Sequence, residues 1–150
     1  MGDGPSCQYL SYPPNRSVSE TAAQLAGWVA IAPRHDWAIV AEDSTEAVGR
    51  VTIYKTDDGN WEAGIVVCPS RQGGGIAARA MRLAIDRVDQ SDQPRRIFAD
   101  IDPDNAPSLK LFTSLGFQYE GRFRKVAETH IGVRDSIIMS LINTDPRSWR

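Results

Sequence analysis

Residues 61–88, WEAGIVVCPSRQGGGIAARAMRLAIDRV, decide how the rest of the chain is read. Within Gly64 to Cys68 the run Ile65, Val66, Val67 is β-branched and apolar without polar alternation, which predicts a strand covered on both faces. Pro69 and Ser70 end it, and three consecutive glycines, Gly73, Gly74 and Gly75, lead into an amphipathic helix. Ile76, Ala80, Leu83, Ala84 and Val88 recur at three- and four-residue spacing and are expected to form its core stripe. Arg79, Arg82, Asp86 and Arg87 take the other side. A glycine-rich loop entering a helix presents backbone N–H groups that lack internal acceptors. Together with the positive end of the helix dipole they favour an anion, commonly a phosphate. The plainer reading of such a loop is a flexible strand-to-helix turn with no ligand.

Composition narrows the field. The chain has 150 residues, enough for one domain with a full core, with 41% apolar and 24% charged residues and a formal net charge of −2. No basic run extends beyond Arg95-Arg96, so nucleic acid is not expected as the main partner. No apolar stretch approaches the roughly 20 residues of a membrane span, and MGDGPSCQYL lacks the pattern of an export signal. The expected setting is therefore the cytoplasm, away from a membrane. Two cysteines (Cys7, Cys68) and two histidines (His35, His130) in separate segments predict neither a disulfide framework nor a metal site.

Read in order, residues 1–6 and 143–150 are expected to be flexible tails of a single domain. Cys7 to Tyr12 reads as a short strand stopped by Pro13-Pro14, and Ser17 or Ser19 caps a helix that starts near Glu20 and ends before Pro33. Trp37 to Ala41 and Val48 to Lys55 read as strands joined by a polar turn at Glu42 to Glu46. Asp57-Asp58-Gly59-Asn60 is a hairpin turn into the central strand. Beyond the glycine helix, Arg96 to Asp102 reads as a strand, and Pro107 sits in the first turn of a helix that Gly116 ends. Phe117 to Val126 and Ile131 to Leu141 read as two long final strands. The expected class is α+β, a central mixed and mostly antiparallel sheet flanked by helices.

Gln72-Gly73-Gly74-Gly75-Ile76-Ala77 fits the pattern Gln/Arg-x-x-Gly-x-Gly/Ala and resembles the acyl-CoA pyrophosphate loop of the GNAT acetyltransferase superfamily. No Lys-Ser/Thr follows, which disfavours a P-loop. Arg79 stands where the third glycine of a dinucleotide fingerprint would fall. A second block supports the resemblance: Asn105-Ala106-Pro107-Ser108, then Leu111-Phe112, then Leu115-Gly116-Phe117, is similar to the family's N-x-x-S…LGF pattern. Glu120-Gly121 and Arg134-Asp135 resemble its ribosomal-protein N-terminal acetyltransferase branch.

The resemblance implies a GNAT-like acyl-CoA N-acyltransferase fold in which the central strand and the strand after the glycine helix splay apart. It implies acetyl-CoA as co-substrate and direct attack of a primary amine, from a protein or peptide N-terminus or a small molecule, on its thioester. It leaves a homodimer open. Pyrophosphate is expected on the N–H groups of Gln72, Gly73, Gly74, Gly75, Ile76 and Ala77, the pantetheine arm beside Val67, and further CoA contacts from Asn105, Ser108 and Phe112. Many members use a tyrosine where this chain has Phe112, which cannot donate a proton. Ser108, four residues earlier on the same helical face, is the expected partner of the departing sulfur. Its plainer role is to cap the helix, and Asn105 has the same two readings. Glu62, on one face with Gly64 and Val66, is the expected base; its plainer role is a solvated acid beside Trp61. His35 and His130 are alternative bases, Tyr119 reads as a sheet residue, and Cys68 as strand packing rather than an acyl carrier. A competing reading from a different class is a degenerate acetyl-CoA-binding domain that no longer catalyses. The acceptor pocket is expected between Trp28 to Trp37 and the last strand pair.

Overall fold

The computed structural model describes residues 4–31, 33–42, 45–57 and 59–150. The chain runs α1 (Gly4–Cys7), α2 (Val18–Val29), β1 (Arg34–Val40), β2 (Ala47–Asp57), β3 (Asn60–Val67), a 3-10 turn (Pro69–Arg71) and α3 (Ile76–Ser91). It continues through β4 (Arg96–Ile101), α4 (Ala106–Ser114), β5 (Gln118–Thr129) and β6 (Gly132–Ile142). The six strands form one mixed sheet in the order β1-β2-β3-β4-β6-β5, and helices flank it. Only the β3–β4 neighbours are parallel, because α3 carries the chain from the end of one strand back to the start of the other. The expected α+β class is the observed one.

Local chemistry explains the element ends. The Ser17 hydroxyl accepts from the Glu20 N–H at 3.1 Å and opens α2. Asp57 pairs with Asn60 across the β2–β3 hairpin. Of that turn's residues, Asp58 lies outside the described set, as do Asp43 and Ser44 of the turn between β1 and β2. Gly116, at φ 81°, takes the left-handed position after α4 that a residue with a Cβ enters only at a cost.

Strand alternation sorts residues to two faces. Val51, Ile53, Trp61, Ala63, Ile97, Ala99, Met139 and Leu141 turn to the face covered by α3 and α4 and make the main core. The core stripe of α3 is Met81, Ala84, Ile85 and Val88. Leu83, expected in that stripe, is 70% exposed on the far side of the helix, so the true stripe is rotated by about half a turn from Leu83.

Two terminal expectations are corrected. Cys7 to Tyr12 makes no strand: Gly4–Cys7 is a helical turn with Cys7 fully buried, and Leu10 N–H closes a turn on the Cys7 carbonyl. The tail 143–150 is not loose. Trp149 packs against the core and donates from Nε1 to Asp86 at 3.1 Å, Arg147 pairs with Asp89, and Arg150 pairs with both acids.

The β3–β4 junction shapes the site. Pairing covers only Asn60↔Arg96, Trp61↔Ile97 and Glu62↔Phe98. Beyond Glu62 the two strands part, and a cleft of about 480 Å³ opens between them.

Candidate active site

Among the described residues, the fork leaves main-chain groups of β3 without partners. Cys68 N–H donates to the Val48 carbonyl at 2.8 Å, so the even-numbered residues of β3 bond to β2. The odd-numbered ones aim their N–H and C=O groups at β4, which turns away beyond the Glu62↔Phe98 pair and leaves Ile65 and Val67 with no strand beside them. The Val67 carbonyl is taken by the Gln72 side-chain amide at 2.9 Å. Ile65 and the Val67 N–H remain as a strand edge able to pair with an extended amide-bearing chain.

At the end of that edge sits the glycine loop. Gly73 and Gly75 have φ of 87° and 75°, a region open to glycine. A Cβ placed on any of the three glycines would meet no atom within 4 Å, so the space over the loop is free. Gly75 precedes α3 without any side-chain cap, and the first backbone bond back to the loop is from Arg79 N–H to the Gly75 carbonyl at 3.0 Å. The N–H groups of Ile76 and Ala77 thus face a helix N-terminus that needs acceptors, which fits a diphosphate. Gln72 stands apart from the other expected donors. Its N–H goes to the Pro69 carbonyl and its side chain to Val67, so it braces the loop.

The opposite wall is the entrance to α4. Asn105 caps that helix by accepting from the Ser108 N–H at 3.2 Å. Ser108 itself lines the cleft, and its hydroxyl caps nothing: among the described residues it makes no hydrogen bond. Phe112 is 2% exposed, packed edge-on against Phe117 at 4.9 Å; its ring belongs to the core and only borders the cleft floor. The loop before α4 is pinned from β6: Arg134 donates to both oxygens of Asp102 at 2.7 Å and 2.9 Å and reaches Asp104 as well. The Arg134 bonds hold the Asp102 carboxyl below the ordinary carboxylate range.

Glu62 lies where β3 and β4 divide, on the face shared with Gly64 and Val66. It is not a solvated acid. Burial pushes its pKa up, Asp100 nearby pushes the same way, and a hydrogen bond from the Tyr54 hydroxyl pulls it partly back. Burial and the same carboxylate push the Tyr54 phenol well up, so it stays a donor. Tyr54 engages Glu62 Oε2 at 2.5 Å; Oε1 has no partner among the described residues. A half-buried carboxylate of raised pKa with one free oxygen in a cleft is a competent proton acceptor.

The alternative bases lie elsewhere. His35 falls on the core face of β1, stacked between Trp37 and Trp61 at 5.4 Å and 5.8 Å, with Nε2 2.8 Å from Asp92. His130 sits 3.0 Å from the Leu10 carbonyl and does not line the cleft. Tyr119 is 62% exposed on β5. Cys68 is exposed after β3, so strand packing does not explain it as expected.

The cleft also gathers residues the sequence did not single out, Tyr54, Asp100, Tyr12 and Arg50, beside Trp28 and Arg34 of the stretch expected to line the acceptor pocket. Asp100 accepts a hydrogen bond from the buried Ser136. The one available signal was the two-residue spacing of Arg50, Thr52 and Tyr54, which marks one face of β2 but reads as a solvent face.

Comparison with known proteins agrees with this geometry. An N-acetyltransferase of Bacillus licheniformis, p20, whose role is uncharacterized, is 30% identical over 111 residues, which is 73% of this chain and 62% of that protein. The chain thus spans about three fifths of that relative's length. Among solved structures, the RimJ protein of Mycobacterium smegmatis in complex with CoA-disulfide is 27% identical with a TM-score of 0.76, over 85% of this chain and 63% of that one. The ribosomal-protein-S5-alanine acetyltransferase of Vibrio fischeri is 25% identical with a TM-score of 0.75, over 90% and 80%. The Acetyltransferase (GNAT) domain profile matches residues 4–118, a span that holds the fork, the glycine loop and the Asn105–Ser108 cap together. By that match the chain belongs to the GNAT acetyltransferase family.

Proposed function

We propose that the chain transfers an acetyl group from acetyl-CoA to a primary amine while both substrates occupy the cleft. The observation that carries this reading is the fork itself: it opens along β3, the strand that leads into the glycine loop, and has Glu62 and the unengaged Ser108 hydroxyl in its lining.

When bound, acetyl-CoA supplies an acetyl group activated as a thioester. Gly73 to Ala77 hold its diphosphate through main-chain N–H groups, and Ile65 and Val67 hold its amide-bearing arm as an added strand. Glu62 takes the proton that the amine loses as its nitrogen bonds to the acetyl carbon. The carbon–sulfur bond breaks, and Ser108 donates a hydrogen bond to the departing thiolate; the thiol's proton comes finally from solvent. A serine hydroxyl is too weak an acid to protonate a thiolate outright, so its part is electrostatic. Holding both substrates in one cleft supplies the remaining advantage.

The competing reading, a domain that binds acetyl-CoA without catalysis, rests on Phe112, which puts no phenol near sulfur. Thiol release from acetyl-CoA is measured with a panel of primary amines. Amine-dependent release supports transfer. Binding of acetyl-CoA without acceleration by any amine would leave only the non-catalytic reading.

A further inference from the structure

One wall of the cleft is built from residues of β1 and β2 that the acetyl-transfer scheme does not use. Arg50, Thr52 and Tyr54 point to the same face of β2, and in the β1–β2 register Arg34 stands opposite Tyr54 and Asp36 opposite Thr52. Asp36 accepts from both guanidiniums, at 2.5 Å from Arg34 and 3.1 Å from Arg50. Arg34 meets that carboxylate with two nitrogens and also lies in the field of Glu62, whereas Arg50 meets it with one, and the two side chains are only 10% and 17% exposed. Trp28 lies against both, with the Arg50 guanidinium 4.8 Å and that of Arg34 5.6 Å from its ring, and Tyr12 packs on Trp28 at 5.2 Å.

Beside Arg50 are two hydroxyls without partners among the described residues. The oxygens of Tyr12 and Thr52 are both buried and make no hydrogen bond to any described residue, and Thr52 is 7% exposed. Thr52 is paired across the ladder with Gly64, so no opposing side chain covers it. Buried donors left idle beside a partly satisfied guanidinium destabilise a fold unless something else completes them. The opposite end of the same cleft carries Glu62 and Asp100. Along β2, Tyr54 is level with Glu62, Thr52 comes two residues before it and the Arg50 guanidinium belongs four residues before it, so Thr52 stands between the acid and that cation.

We propose that the Arg50–Thr52–Tyr12 wall binds a carboxylate carried by the acceptor, so that the acceptor is a free α-amino acid or a close analogue. Residues of one face recur about 7 Å apart along a strand. Glu62 faces Tyr54 from β3 and so lies diagonally from Thr52, about 7–8 Å across the ladder; with about 3 Å for a hydrogen bond at each end, the span suits an amine and an acid carried on one carbon. Arg50 supplies charge through nitrogens that Asp36 does not engage, the two hydroxyls complete the anion's shell, and Trp28 shields the site from water.

The chemistry of this assignment rests on the acetyl-transfer reading, but the binding does not, and the experiment separates them. Free L-amino acids and their carboxamides are titrated calorimetrically into the CoA-saturated protein, and thiol release is followed with the same compounds. The expected result is that at least one free acid binds about tenfold or more tighter than its amide. Arg50→Gln and Thr52→Val should each erase that preference. Thr52→Val and Tyr12→Phe should at the same time raise or preserve the melting temperature, since each removes an idle buried hydroxyl. They carry the test if Arg50→Gln does not fold. Equal binding of acid and amide, survival of the preference in the variants, or no binding by any free acid overturns the proposal. Acid-selective binding without thiol release would count against acetyl transfer alone, and thiol release that is indifferent to the carboxylate would count against this site alone.

Discussion

Tyr54 and Glu62 stand directly opposite each other on β2 and β3, and the tyrosine hydroxyl donates to Glu62 Oε2 at 2.5 Å. That bond favours the charged carboxylate, against burial, which favours the neutral acid. Tyr54→Phe removes the opposing influence, so the Glu62 pKa should climb further. The acid limb of the kcat/KM profile should then move to higher pH by about one unit, the equivalent of ~1.4 kcal/mol from a hydrogen bond to a charged group. A profile superimposable on that of the unmodified protein would remove Glu62 from the proton transfer.

Glu62→Gln separates activity from stability. A carboxyl whose pKa is raised by folding binds its proton more tightly folded than unfolded. Its contribution to stability is complete below the ordinary carboxylate pKa and is lost as pH rises through the folded value. The glutamine has no such loss, so the variant should gain in melting temperature over the parent between acidic and neutral pH. Turnover should fall about 10²- to 10⁴-fold. Thermal melts across that pH range together with initial rates check both arms.

Ser108→Ala should lower kcat about 10²-fold and leave acetyl-CoA affinity and melting temperature nearly unchanged, because the hydroxyl caps nothing. Asn105→Ala is the control on the same turn: it removes the oxygen that accepts from Ser108 N–H, and should cost about 1 kcal/mol of stability. If Ser108→Ala instead destabilises the helix as Asn105→Ala does, the serine is structural.

Gly75→Glu places a side chain in the left-handed region at φ 75° and a negative charge at the mouth of the loop. A Cβ there meets nothing within 4 Å, so the folding penalty is that of the backbone alone, about 1–2 kcal/mol. CoA binding should be lost by like charge and bulk. Calorimetry on the folded variant showing parental CoA affinity would dissociate the loop from the diphosphate.

The central strand, the glycine loop and the helices on either side could be read from sequence because their signals are local: a β-branched run, consecutive glycines, Pro107 and Gly116 at helix ends. What could not be read depends on which face is covered. Leu83 satisfies a helical spacing as well as Met81 or Ile85 does, and only the position of the sheet decides between them. Arg50, Thr52 and Tyr54 alternate like an exposed strand face, but Trp28 of α2 and Tyr12 of the preceding segment lie over them. Cys7 to Tyr12 reads as a strand ended by Pro13-Pro14, but a short apolar run before prolines does not distinguish pairing in a sheet from the helical turn and cleft-lining segment found there. His35 was a candidate base by residue type, and the register of β1 turns it to the core face.

The docked tail has a mechanical consequence. Because β3 and β4 share only three residue pairs, the sheet is two leaves joined at a narrow spine: everything through α3 on one leaf, β4 onward on the other. The tail leaves β6 on the second leaf and fastens to Asp86 and Asp89 of α3 on the first. It works as a clasp across the back of the spine, opposing any outward swing of the leaves while the front edge stays free to admit a ligand.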